Sequence, residues 1–246
     1  MRTQSIDTPP EIECIQIEIM RGFSLARKLE LAADWMNFLT SANQIYQRGP
    51  EQRIAAAYGK DWQKRYQRFV RHHPQVQPYS AHDAVQRALL AAVEPLERRR
   101  IPYGITGRFA CSIYGLHSAT TSIEIIVEHP RHLILSPTHT RHHDAYLDVV
   151  HLIRIDVTRT TLSLSQIIPQ VLIVGHPPIM MLTPEAVTLD LLGKFAATGK
   201  RDDALYNDIL GMVKVQAPNM SMALLATQTT DYPLMNQLLD DAGVER

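Results

Sequence analysis

Apolar residues recur at three- and four-residue steps after Ser24. Leu25, Leu29, Ala32, Met36 and Leu39 line one face of a predicted helix. Ser24 suits its N-cap, because a hydroxyl there accepts from a first-turn amide. Just upstream, residues 12–19 (IECIQIEI) alternate only in part and read equally as a strand or a helix start. Gly49-Pro50 breaks the chain. A second helix then runs to about His73, with Tyr58, Trp62, Tyr66 and Phe69 as its larger apolar residues. Residues 73–80 (HPQVQPYS) form a linker held extended by its prolines. Ser80-Ala81-His82-Asp83 has the form of a capping box. The helix after it carries Val85, Leu89, Leu90, Val93 and Leu96. It ends in Arg98-Arg99-Arg100, cations that suit the negative end of the macrodipole.

The period changes after Ile101. Residues 101–107 (IPYGITG) read as a short strand ending in glycine, and residues 108–116 as a helical turn with Ala110, Ile113 and Tyr114 inward. Residues 122–128 (SIEIIVE) read as a strand, and 132–137 (HLILSP) as a candidate one. Residues 146–157 (YLDVVHLIRIDV) read as one long β-rich run, and 171–182 (VLIVGHPPIMML) as strand material around a Pro-Pro turn. Thr183-Pro184-Glu185 is a helix entry with proline at its first position, and the pattern stays helical to Arg246. Strands in the middle with helices at both ends predict an α+β or α/β protein. Three stretches follow: a helical N-terminal extension (1–74), a sheet-bearing region (80–182) and a C-terminal helical region (183–246).

Composition narrows the classes. The 246 residues are 45% hydrophobic and 20% charged, too apolar for a disordered chain and long enough for a sizeable core. Two cysteines, Cys14 and Cys111, make no disulfide framework and fit a reducing compartment. No apolar run approaches the roughly 18 residues of a membrane span, and the first residues lack an apolar signal-peptide core. These features predict a cytoplasmic chain with no membrane partner. The 25 basic and 25 acidic side chains cancel, so any nucleic-acid contact would need a local patch. One candidate is the run Lys60, Lys64, Arg65, Arg68, Arg71, His72 and His73. It reads either as a solvated helix face or as a phosphate-facing patch with interleaved aromatics.

The chemistry concentrates in residues 101–128. Strand, glycine turn, short helix, loop and strand let backbone amides and a helix N-terminus approach a phosphate. Alternation along the second strand puts Ser122 and Glu124 on one face. The frame Thr106-Gly107-Arg108, Ala110, Tyr114-Gly115, Ala119-Thr120, Ile123 and Ile125-Ile126-Val127 resembles the nucleotidyltransferase superfamily with a polymerase-beta-like palm. It is most similar to the bacterial AbiEii-like and MNT-like branch associated with toxin–antitoxin systems. Thr183-Pro184-Glu185, Leu189, Lys194, Asn207-Asp208-Ile209-Leu210 and Val213-Lys214-Val215-Gln216 are similar to the C-terminal part of such proteins. The resemblance implies a small mixed sheet of palm type at 80–182, flanked by N-terminal and C-terminal helices.

It also implies a metal site from which this sequence departs. Active relatives hold Mg²⁺ on two aspartates two residues apart and a third carboxylate on a neighbouring strand, because the ion requires oxygen ligands and bridges the triphosphate. Here the first position is Ser122 and the second is Glu124. Arg108 stands where the family has Ser, and Ser118 where it has Arg. One register puts Asp148 at the third position and another puts His151 there. Within one strand, Asp148 and Asp156 share a face and His151 lies on the other. The resemblance thus implies Glu124 and Asp148 as catalytic residues and metal ligands, and Gly107, Arg108, Ser122, Lys194 and Asp208 around a nucleotide. Arg108 has further readings, an ion pair with Glu124 or a side chain in solvent. For Lys194 and Asp208 the alternative is an ordinary helix surface.

The preferred expectation is a nucleotidyltransferase fold with an eroded metal site and little or no transferase activity. It would bind a nucleotide, an RNA end or a protein partner, with Mg²⁺ held weakly or not at all. One alternative is an active Mg²⁺-dependent enzyme of toxin–antitoxin type, moving a nucleotidyl group from an NTP to RNA or protein. Another is a purely structural or interaction protein. His139, His142, His143, Asp144, Asp148 and His151 cluster in a segment of loop character but fit no standard zinc spacing. Cys111 reads as core.

Overall fold

A computed structural model describes residues 2–3, 7–42, 49–78, 83–116, 120, 122–128, 135, 137–159 and 166–244, with backbone only at 39–42. Ser80, Ser118 and most of the candidate strand at 132–137 lie outside the described residues, as does the side chain of Leu39. The fold is α+β, with ten α-helices and seven strands among the described residues. The chain forms two compact units, Met1–Ala32, Thr106–Ser118 and Leu162–Arg246 in one, Ala33–Ile105 and Ala119–Thr161 in the other. Both are discontinuous, so neither coincides with one of three consecutive stretches.

The second unit is built on a mixed sheet. Its strands are β1 (Tyr103–Thr106), β2 (Ser122–Val127), β3 (His139–His142), β4 (Ala145–Asp148) and β5 (Ile153–Arg159), in the order β3-β4-β5-β2-β1. β2 runs parallel to β5, while β4 is antiparallel to β5 and β3 to β4. Side chains alternate across a strand. Ile123, Ile125 and Val127 therefore share a face with Ile153, Ile155 and Val157, and none of the six is more than 7% exposed. Helix α5 (Ala84–Arg98) packs against β5 and buries Val85, Ala88, Leu89, Ala92, Val93 and Leu96. Asp83 does not cap α5 through its side chain, which instead pairs with Arg87 at 2.6 Å.

Three expectations differ from the structure. The helix expected from Pro50 to about His73 is two, α3 (Pro50–Tyr58) and α4 (Lys60–His72), divided at Gly59. Gly59 has φ +91°, a value that costs any other residue steric strain. The antiparallel pair α3–α4 packs Ile54, Trp62 and Tyr66 against Leu147 and Val149. The long run at 146–157 is also interrupted. Val149–Leu152 turns the chain, with Leu152 at φ +59° and its amide donating to the Asp148 carbonyl at 2.8 Å. Asp148 and Asp156 therefore sit on different strands. In addition, His139–His142 is a strand rather than a loop.

In the first unit the partly alternating residues 12–19 resolve as helix, within α1 (Pro10–Gly22). Helix α2 (Leu25–Ala42) begins as expected, the Arg27 amide donating to Ser24 Oγ at 3.2 Å; its first eight residues belong here and the rest to the second unit. Helices α6 (Gly107–Tyr114), α7 (Pro184–Ala197), α8 (Asp203–Gln216), α9 (Met222–Gln228) and α10 (Tyr232–Ala242) follow, with the antiparallel strands β6 (Ile167–Gln170) and β7 (Ile179–Leu182) ahead of α7. Only the end of 171–182 is strand. Thr183 caps α7, its hydroxyl accepting from the Ala186 amide at 3.3 Å.

Helix α8 is the axis of this unit, buried over most of its length and packed by α1, α6, α7 and α10. Its Lys214 ammonium pairs with Glu13 of α1 at 2.8 Å, both side chains 1% exposed, and also donates to the Arg2 carbonyl. Arg21 donates to the Lys214 carbonyl at 2.7 Å and to that of Val215 at 3.3 Å, satisfying the end of α8. Removing one partner of a buried ion pair strands the other charge in a poorly solvating interior. Lys214→Met is expected to lower unfolding free energy by about 3–5 kcal/mol in urea denaturation, and the double variant Glu13→Leu/Lys214→Met to recover most of that loss.

Candidate functional site

The β1–α6 connection forms a tight turn at Gly107, which has φ +69°. Helix α6 is buried except at Arg108, whose guanidinium pairs with Asp208 of α8 at 2.6 Å. The structure thus joins two of the residues expected around a nucleotide, and Arg108 takes Asp208 as its ion-pair partner. Lys194 is not with them; it pairs with Asp190 one turn back along α7 at 2.9 Å. Cys111 is buried, its thiol donating to the Asp208 carbonyl at 3.1 Å, as suits a core residue. At Gly115 a Cβ would lie 2.5 Å from the backbone Cα of Met212, so α6 ends in direct contact with α8.

Ser122 and Glu124 lie in the second unit, on the half-buried polar face of β2. The parallel register sets Ser122 beside Arg154 and Glu124 beside Asp156. The carboxylate next to Glu124 is therefore Asp156. Asp148 pairs with Ile153 on β4, which is separated from β2 by β5, and it points to the opposite face. His151 lies in the turn after β4. Neither residue offered by the two sequence registers stands beside Glu124.

Asp148 has a different task. It is fully buried and accepts from the amides of Val150 and His151, at 2.9 and 3.3 Å, while His151 Nδ1 lies 2.6 Å from its other oxygen. Burial opposes its charge. The His151 contact, the charges of His139 and His151 and the Val150 amide outweigh that, and they hold the carboxyl below its ordinary pKa. Its carboxylate pins the β4–β5 turn.

Asp156 is held by a cation from its own strand: Arg154 Nε donates to its Oδ1 at 2.7 Å. The Arg154 amide donates to the Tyr58 hydroxyl at 3.4 Å, and that hydroxyl donates to the Leu152 carbonyl at 3.2 Å. Burial pushes the Tyr58 phenol up to about 12, the charges of Arg154, Asp156 and Arg53 also acting on it. Burial lowers the Arg53 pKa, and its Nε is buried with no hydrogen-bond partner among the described residues. The face therefore carries Ser122, Glu124, Arg154 and Asp156, with the Tyr58 hydroxyl on the backbone beside it and Arg53 near Tyr58. Sequence reasoning missed Arg53 and Arg154, and took Tyr58 only as an apolar helix residue and Asp156 only as a face-mate of Asp148. The available signal was the Arg-x-Asp spacing of 154 and 156, which matches Ser-x-Glu at 122 and 124.

Mg²⁺ requires several oxygen ligands in near-octahedral geometry. Here a guanidinium already neutralises one of two adjacent carboxylates. Among the described residues no group of three or more His, Cys, Asp or Glu is placed to hold a metal ion. No described helix is long and apolar enough to cross a membrane.

Comparison with family models, curated proteins and solved structures finds no match to the chain.

The Asp148 pKa is lower in the folded state than in the unfolded state. Its stabilisation is therefore present above the unfolded pKa and lost as pH falls through the folded one. Asp148→Asn is expected to destabilise the protein at pH 7, and its deficit against wild type to shrink as pH drops below about 4, read by urea denaturation across that range.

Proposed function

We propose that the chain is a nucleotidyltransferase-like protein that binds a phosphorylated ligand, a nucleotide or an RNA end, without metal-dependent transfer. The observation that carries this reading is the Arg154–Asp156 ion pair at 2.7 Å beside Glu124. In a metal-dependent palm, divalent ions neutralise clustered carboxylates and grip the triphosphate. Here a fixed guanidinium does the neutralising, and Ser122 offers a hydroxyl in place of a further anion. Arg53 adds a cation beside Tyr58 on the same unit. Guanidinium groups bind phosphate oxygens through planar, charge-assisted hydrogen bonds and need no metal.

The test is thermal melting of the full chain with each of the four ribonucleoside triphosphates, in EDTA and again in Mg²⁺. At ten times Kd, binding contributes about 1.4 kcal/mol, a rise of roughly 3–6 °C for a chain of this size. The expected result is an equal rise in both buffers, diminished in Arg53→Ala, with no labelled nucleotide transferred to tRNA or protein. A rise that requires Mg²⁺, together with transfer abolished by Glu124→Ala, would establish the enzyme reading instead. In that case Glu124 and Asp156 would hold the ion. No rise in either buffer would leave an interaction protein.

A further inference from the structure

A cavity of about 410 Å³ lies within the first unit. Arg21, Ser24, Lys28, Gln170, Gln216 and Asn219 supply polar lining, and no acidic residue is among its described lining. Phe23, Leu25, Ile168 and Val215 supply apolar wall. The volume falls in the range of small-molecule sites, and the mixture of apolar wall and a few convergent polar groups is typical of them.

Lys28 distinguishes this cavity from a packing defect. It is 3% exposed, yet among the described residues its ammonium has no ion-pair or hydrogen-bond partner. Lys194 pairs with Asp190, Lys200 with Asp231 and Lys214 with Glu13, while Lys60 and Lys64 are exposed to solvent. Burial alone lowers the Lys28 pKa, with no neighbouring charge acting against it. An isolated buried ammonium is costly unless something compensates it. Arg21 cannot compete for a ligand, because its guanidinium is engaged by Glu18 at 2.6 Å and by the carbonyls of Lys214 and Val215.

The backbone adds to the same polarity. Ser24, Leu25 and Lys28 bring the first turn of α2 to the cavity, and Pro184 brings the first residue of α7. Helix N-termini carry partial positive charge and favour anions. Among the described residues, a lysine without a counter-ion, the first turn of α2 and a lining free of carboxylates favour the same kind of occupant.

We propose that this cavity binds a small organic anion, its carboxylate or phosphate head on Lys28 and the first turn of α2, its apolar body against Phe23, Leu25, Ile168 and Val215. None of these residues belongs to the Glu124–Asp156 face, so the site stands whether or not that face binds nucleotides.

The experiment is calorimetric titration and thermal melting of the full chain with phenyl phosphate, benzoate and the neutral benzamide, at constant ionic strength in chloride. At least one of the two anions is expected to raise the melting temperature by about 3 °C or more at ten times its Kd, with benzamide inert; the anion bound more tightly identifies the head group. Lys28→Met should weaken that binding at least about tenfold. Its own ligand-free melting temperature should equal or exceed wild type, because a desolvated ammonium is gone. The proposal is overturned if neither anion shifts the wild type, if benzamide shifts it equally, or if Lys28→Met binds the anions as wild type does. Should Lys28→Met fail to fold, reductive methylation of the wild type with peptide mass spectrometry decides. Phenyl phosphate or benzoate should protect Lys28 and not the exposed Lys200; equal labelling of Lys28 with and without them would overturn the site.

Discussion

The parallel pairing of β2 with β5 is the constraint on which the second unit depends. With Glu124 set beside Asp156, Ile123, Ile125 and Val127 of β2 and Ile153, Ile155 and Val157 of β5 enter the apolar core and the polar set 122, 124, 154 and 156 lies on the other side. A slip of one residue in either strand would reverse its faces, pressing a carboxylate into the company of Ile155 or Ile123. The apolar face therefore fixes the register, and the register in turn assembles the charged face. The setting of Glu124 is a by-product of how isoleucine and valine pack.

That dependence explains what could be read along the chain. The helix at Ser24, the strand–glycine–helix–strand segment around Gly107 and the Thr183 cap carry local signals. Period, cap and turn residues lie within a few positions of one another, and each expected element stands at its place. The two helices at 50–72 looked like one because nothing in an apolar pattern reports a φ of +91° at Gly59. The run at 146–157 looked like one strand because Val149, Val150 and Leu152 are β-formers used in a turn, held there by the buried carboxylate of Asp148. This second misreading had the larger effect on the site. Parity along a single strand joined Asp148 to Asp156, whereas an intervening reversal puts them on separate strands. Which strand neighbours β2 is a long-range fact, and no spacing within the sequence contains it.

Cancellation of charge over the whole chain has a local counterpart. Arg108 with Asp208, Arg154 with Asp156 and Lys214 with Glu13 are each closed by a partner within hydrogen-bonding distance. Residues that a motif alone would assign to ligands also serve as internal fastenings. Lys28 and the Arg53 Nε differ, since among the described residues neither has an acceptor. Beside such closed pairs, these groups are places to look for recognition.

Gly115 ties the motif to the frame around it. With only a hydrogen where other residues carry a methyl, α6 ends against the Met212 backbone. Helix α8 presents Asp208 to Arg108 and, further along, Lys214 to Glu13. A side chain at position 115 would act as a wedge, levering α8 away and straining both fastenings at once. The glycine that closes the Tyr-Gly signature is thus a gauge for helix spacing, and its identity is dictated by clearance whatever the chain binds.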